Sequence, residues 1–219
     1  MIDATILYYT SNKEGDEFER RVKENILTVC GGLPIISISH KPIDFGKNIC
    51  VGEVGASGFN MFRQVQIGCM EAKTKFVISA EADCLYPPDY FTYMPEKEDE
   101  CYRDSNLYVM GQWRNYFYKK EEGATHAQIV GREFYLNRLN YLFQGAPKWS
   151  VEERNFPRER HHKVDVFDKF VYYQTENPVV QIKTTRSMRH YTHSDRIPVY
   201  EIPYWGNGTD FRRKYYGDK

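Results

Sequence analysis

The sequence predicts a single α/β domain with a mostly parallel central sheet flanked by helices, and three observations lead there. Short β-branched and aromatic runs, TILYY at 5–9, PIISIS at 34–39 and FVI at 76–78, suit buried strands. Stretches with helical spacing separate them, and strand–helix–strand repetition implies crossover connections between parallel strands. Finally, 219 residues at 41% hydrophobic and 27% charged have the size and composition of one globular domain, without repeat, low-complexity tract or linker.

Taken in order, Thr5–Tyr9 reads as the first strand and Thr10-Ser11-Asn12 as the polar loop leaving its carboxyl end. Asp16 is placed to cap a helix over Glu17–Val29, with Phe18, Val22, Ile26, Leu27 and Val29 near helical spacing and Gly31-Gly32 as the stop. Pro34–Ser39 is the second strand, continued by His40-Lys41-Pro42, and Asn48–Gly52 a short third. Ser57, after Gly55-Ala56, caps a helix through Asn60–Ala72 that turns Met61, Val65, Gly68, Cys69 and Ala72 toward the sheet. This Gly-rich turn suits a phosphate at a helix N-terminus. It is neither G-x-G-x-x-G nor a Walker lysine motif, so dinucleotide binding and nucleotide hydrolysis gain no support.

The chain is organised around Lys75–Pro88, KFVISAEADCLYPP. A hydrophobic strand delivers Glu81 and Asp83 to its carboxyl end, and Pro87-Pro88 forbid its continuation. In open α/β sheets, ligands sit at that edge. Beyond it, Pro95–Asp104 is expected as an acidic surface loop, Leu107–Met110 as a strand, His126–Gly131 as a strand and turn, and Arg132–Leu142 as a helix. Gly145–Lys163 reads as irregular, Val164–Tyr173 as a short helix and Val179–Lys183 as the last strand. The remainder is aromatic and net basic, eight Lys/Arg against four acids from Lys183 onward.

Composition excludes several classes. Formal net charge is zero, so no global field favours nucleic acid or membrane. Five cysteines without C-x-x-C spacing argue against a disulfide framework or a zinc finger and for reduced thiols. The N-terminus lacks a signal-peptide pattern and no apolar run approaches about 18 residues, so a soluble cytoplasmic protein is expected. Aromatics reach 16%, with 18 Tyr, and supply flat amphipathic surface for ligand rings.

A paired carboxylate at a strand end suits a hard divalent cation, Mg²⁺ or Mn²⁺, able to neutralise a diphosphate. His190 or His193, beyond the last strand, can supply a later ligand. Around these residues the chain resembles glycosyltransferases of the GT-A fold, in pattern the large family 2 group. TILYYTSN (5–12), QVQIGCMEAKTKFVISAEAD (64–83) and LYPPDYF (85–91) carry the resemblance. In that group a helix ending G-x-x-x-A-x-x leads into a strand ending D-x-D, and Gly68, Ala72 and Glu81-Ala82-Asp83 occupy those places. The likeness spans roughly residues 4–91 and continues more weakly through His126–Leu139 to the C-terminal histidine.

The resemblance implies a Rossmann-like nucleotide-sugar half (1–91), an acceptor-side half with a metal- or phosphate-contacting tail (92–219), and a nucleotide-diphosphate sugar donor, UDP-sugar foremost. Asp83 would ligate the metal and Glu81 would contact ribose or metal through water, while Thr10, Ser11, Asn12, Ser39 and His40 line the nucleoside pocket. Arg63, Lys183, Arg186 or Arg189 would stabilise the leaving diphosphate. In inverting relatives the base opens a helix about 25 residues before the histidine; Asp165 meets that description, with Asp168, Glu152 and Glu153 as rivals and a helix-dipole acid as the structural alternative. The first motif residue is Glu, and SHKP stands where an acid often follows the second strand, which leaves the base and donor open. The acceptor is a saccharide, a lipid-linked sugar or a nucleic acid with hydroxylated bases; Trp113, Tyr116, Phe117 and Arg154–Lys163 offer the stacking and positive charge for it. A sugar nucleotidyltransferase and a non-catalytic nucleotide- or sugar-binding module are the other classes, the former weakened because Thr10–Asp16 lacks its Gly-rich, basic signature.

Overall fold

The computed structural model describes residues 2–121, 123–152, 166–188 and 194–217. In chain order the first half runs β1 (Ala4–Thr10), α1 (Asp16–Val29), β2 (Ile35–Ser39), β3 (Lys47–Cys50), α2 (Gly58–Glu71), β4 (Phe76–Glu81) and β5 (Cys84–Leu85). The second half holds β6 (Cys101–Asp104), β7 (Leu107–Gly111), β8 (Tyr118–Lys119), β9 (Gln128–Gly131), α3 (Arg132–Leu142), β10 (Val171–Tyr173), β11 (Val179–Lys183), β12 (Glu201–Ile202), β13 (Gly206–Asn207) and α4 (Gly208–Tyr215).

Seven strands form the central sheet in the order β10-β6-β9-β4-β1-β2-β3. β3, β2, β1 and β4 are parallel, as are β6 and β10; β9 enters antiparallel between β4 and β6. The sheet is thus mostly parallel and Rossmann-like, as expected. A second sheet, β5-β11-β7-β8, packs beside it.

Strand alternation sorts β1 between two cores. Ile6 and Tyr8 meet Phe18, Val22 and Ile26 of α1, whereas Leu7 and Tyr9 meet Phe59, Phe62, Val65 and Cys69 of α2. Each such fully buried aliphatic side chain contributes about 1.5–3 kcal/mol, so covering both faces fixes β1 as the central strand. Gly68 lets α2 lie close, since a Cβ there would stand 2.9 Å from Ile38 Cδ1 and 3.0 Å from Leu7 Cδ2. Ser57 caps α2 as predicted, its Oγ accepting from the Asn60 amide at 3.0 Å.

Several expectations need correction. Gly15, not Asp16, precedes the first turn of α1 and makes no side-chain cap, while Leu27 points to solvent. Within Pro95–Asp104 the last four residues form buried β6, not a surface loop. Its charges are satisfied internally: Arg103 donates to Gln128 Oε1 at 3.0 and 3.1 Å and stacks 3.7 Å over Phe170. Asp104 accepts from the Asn106 amide at 2.8 Å and the Thr175 hydroxyl at 2.6 Å. Val171–Tyr173, expected in a helix, is strand β10 beside β6; the aromatics Phe167 and Phe170 mimic helical spacing while serving separate contacts. β11 is followed by the β12–β13 hairpin and α4, where Asn207 caps α4 through the Asp210 amide at 2.9 Å. Among the described residues no helix is long and apolar enough to cross a membrane.

Candidate active site

The chain runs from β1 outward to β2 and β3, then returns across β1 to β4. The direction of winding therefore reverses between β1 and β4, and a crevice opens outside their carboxyl ends. Thr10 enters it from the end of β1, Ser11, Lys13 and Glu14 from the loop that follows, and His40 from just beyond β2. Gly55–Ser57 and Asn60 form one wall at the start of α2, Glu81 and Asp83 the floor, and Arg186–Met188 the opposite rim.

Polar side chains fix this edge. Gln64 donates to both the Thr10 and Ile38 carbonyls, at 2.9 and 3.0 Å, satisfying the ends of β1 and β2. Asn12 adopts a left-handed φ of 52°. Its amide donates to Thr10 Oγ1 and its Oδ1 accepts from the Lys41 amide, both at 2.9 Å, so it ties the two loops together. Ser39 donates to the Lys41 carbonyl at 2.6 Å and accepts from Asn48 at 2.9 Å. Asn12 and Ser39 thus build the rim, while Thr10, Ser11 and His40 face the cleft. His40 is buried with Nε2 lacking a partner among the described residues, and burial lowers its pKa, keeping it neutral.

The floor is electrostatically loaded. Glu81 Oε1 accepts from the Tyr9 hydroxyl at 3.1 Å, and its amide donates to the Tyr86 hydroxyl at 2.9 Å. Burial first, then the Asp83 charge, push the Glu81 carboxyl up to about 7. Asp83 Oδ2 accepts from Gln181 Nε2 at 3.0 Å. A third acid joins them: Glu14 accepts from the Thr184 hydroxyl at 2.8 Å and is also pushed up to about 7, by burial and then by Asp83. Arg186, donating to the Lys13 carbonyl at 3.2 Å, faces Glu14 with a compensating charge. Sequence reasoning missed Glu14; its signal was an acid just before Gly15 in the loop leaving the central strand. The Asp83 charge helps to push up both Glu14 and Glu81, so a cation beside Asp83 would relieve both. Among the described residues the three do not form one preassembled ligand set, and Asp83 with either neighbour offers the oxygen donors that Mg²⁺ or Mn²⁺ prefers.

Arg63 does not line the cleft. Its guanidinium lies 3.7 Å over Phe143 and donates to the Pro147 carbonyl at 2.8 Å, joining α2 to the segment after α3. Phe117 is fully buried against Phe211 and cannot offer a stacking face, leaving Trp113 and Tyr116 of the proposed acceptor aromatics. Asp168 and Glu152 are exposed and do not line the cleft. Asp165, Glu153, Arg189, His190, His193 and the Arg154–Lys163 segment lie outside the described residues.

No family model and no curated protein matches the chain. Among solved structures, it is similar to a glycosyltransferase involved in the glycosylation of the major capsid of PBCV-1, at TM-score 0.41 and 14% identity over 78% of this chain and 81% of that one. The bifunctional IspDF from Campylobacter jejuni overlaps at TM-score 0.44 and 9% identity, over 80% of this chain and 50% of that one. TarS 1-349 from S. aureus overlaps at TM-score 0.40 and 7% identity, over 70% and 53%. The chain thus spans about half the length of the latter two. At overlaps of this extent, the residues of the cleft themselves have to carry the functional reading.

Proposed function

We propose that the chain is a metal-dependent glycosyltransferase that takes a nucleotide-diphosphate sugar into this cleft and transfers the sugar to an acceptor hydroxyl, with inversion. The observation that carries the reading is the convergence of Glu14, Glu81 and Asp83 at the reversal point between β1 and β4, the place where an α/β sheet binds nucleotides. Thr10, Ser11 and His40 face the nucleoside, and neutral His40 offers the base a ring nitrogen that no described residue engages. The turn before α2 and the amide-rich helix start suit the phosphates.

A Mn²⁺ or Mg²⁺ ion held by Asp83 with Glu81 or Glu14 would neutralise charge on the departing diphosphate. Lys13 and Arg186 add positive charge at the same rim and stabilise the leaving group as it separates. Removal of the acceptor proton is assigned to Asp165, and a further metal contact to His190 or His193. The donor is read as a UDP-sugar and the acceptor as a saccharide, since neutral net charge and the burial of Phe117 weaken a nucleic-acid acceptor. Incubating the chain with a panel of nucleotide-diphosphate sugars and Mn²⁺ tests this. Slow release of free nucleoside diphosphate from one donor supports the reading; pyrophosphate-linked turnover or an inert, unbound panel overturns it.

A further inference from the structure

Glu81 has a second set of neighbours. A Glu81 carboxylate oxygen, the Cys84 Sγ and a His126 ring nitrogen all lie within 4.8 Å of one another. They arrive from three separate places, the end of β4, the start of β5 and the short turn Thr125–Ala127 before β9. His126 is only 3% exposed, and its Nε2 has no hydrogen-bond partner among the described residues. Leaving a buried ring nitrogen unpaired is costly, so it calls for a partner that the described protein atoms do not supply. Cys84 is fully buried, with a weak contact from Sγ to Asp83 Oδ1 at 3.3 Å. Glu81, partly exposed on the cleft floor, provides the way in.

We propose that Glu81, Cys84 and His126 form a site for a thiophilic divalent transition metal of the Zn²⁺ type. Thiolate and imidazole donors select such an ion over Mg²⁺, and three protein ligands leave a fourth position open. Three atoms no more than 4.8 Å apart share a point within about 2.8 Å of each (4.8 Å divided by √3), against about 2.0–2.3 Å for zinc ligands. Closing the set therefore takes side-chain shifts of under about 1 Å. Binding forms the sulfur–metal bond and releases the Cys84 thiol proton to solvent. Lys120 and Lys183 act on this cluster and oppose the ion. They balance Glu81 and Asp83 in its absence, so the bound ion adds one net positive charge once the thiol proton has left. Cys84 and His126 do not line the nucleotide cleft, whereas Glu81 does, so the two sites share that one carboxylate and the sulfur and imidazole ligands tell them apart.

Cobalt is the probe. Titrating Co²⁺ into the reduced, metal-free full chain gives a thiolate-to-cobalt charge-transfer band that saturates at one equivalent and is displaced by Zn²⁺ but not by Mg²⁺. Cys84→Ser abolishes the band, Cys50→Ser (the exposed cysteine) retains it, and His126→Gln weakens binding at least about tenfold. Absence of a saturable band, or its survival in Cys84→Ser, overturns the site. X-ray absorption on the zinc-loaded wild type needs no variant to fold. One sulfur among nitrogen and oxygen neighbours supports the assignment, and a sulfur-free shell refutes it.

Discussion

The Tyr9 hydroxyl donates to Glu81 Oε1 at 3.1 Å, across two parallel strands in which Tyr9 and Glu81 are register partners. The central strand thus aims the first acid of the motif, and a change on β1 is felt at the end of β4. Tyr9→Phe removes one hydrogen bond, at a cost of about 1 kcal/mol. Mn²⁺ affinity in the presence of UDP is expected to fall several-fold, read by calorimetry beside a melting curve. Loss of stability with unchanged Mn²⁺ affinity would detach Glu81 from the cation.

Glu14 gives a pH signature. Its pKa is about 7 in the fold against 4.5 for the free carboxyl. As pH rises through that window the unfolded chain sheds its proton first, so the fold binds more protons and stability falls. Glu14→Gln lacks this loss. The variant is expected to be more stable than wild type by on the order of 1–3 kcal/mol at pH 8, a partly exposed group being screened, with the gap closing below about pH 4.5. Thermal melts from pH 4 to 8 check the sign; a gap independent of pH contradicts it.

Two glycines separate packing from permissiveness. A Cβ on Gly131, where β9 meets α3, would fall 1.6 Å from the Glu98 carbonyl oxygen, whereas one on Gly58 meets nothing within 4 Å among the described residues. Gly131→Ala is expected to cost about 3 kcal/mol or more through backbone displacement. Gly58→Ala, at the first position of α2, is expected to be neutral or slightly stabilising. Urea titrations of both variants read the contrast, and equal midpoints would mean that the chain yields at Gly131.

The strands and helices of the first half were legible because burial there follows simple periods, as in β1 with Ile6 and Tyr8 on one side and Leu7 and Tyr9 on the other. β6 was not, because Arg103 and Asp104 look solvent-bound in sequence and find their partners, Gln128 and Thr175, only through tertiary contacts. The cleft was legible where strand ends carry it, at Thr10, His40, Glu81 and Asp83. Arg63 misled because a cation on α2 can as readily stack on Phe143 as face a phosphate. Glu14 escaped because it meets Arg186 across 172 positions of sequence, beyond the ends of β1 and β11, with no local pattern to join the two.

His40 tests the nucleoside end of the cleft. It is buried, neutral and, among the described residues, unpartnered at Nε2, so its removal exposes little charge. His40→Ala is expected to weaken UDP binding by about tenfold, one lost hydrogen bond plus stacking area. Unaltered affinity in a folded variant would move the base elsewhere.

The most direct measurement is a calorimetric titration of UDP into the wild-type chain and Asp83→Asn, each with and without Mn²⁺. Saturable one-to-one binding is expected for wild type, strengthened by Mn²⁺, with the Mn²⁺-dependent part lost in Asp83→Asn. Binding that ignores both the ion and the substitution, or no binding at all, would contradict a nucleotide–metal site at the β1–β4 crevice.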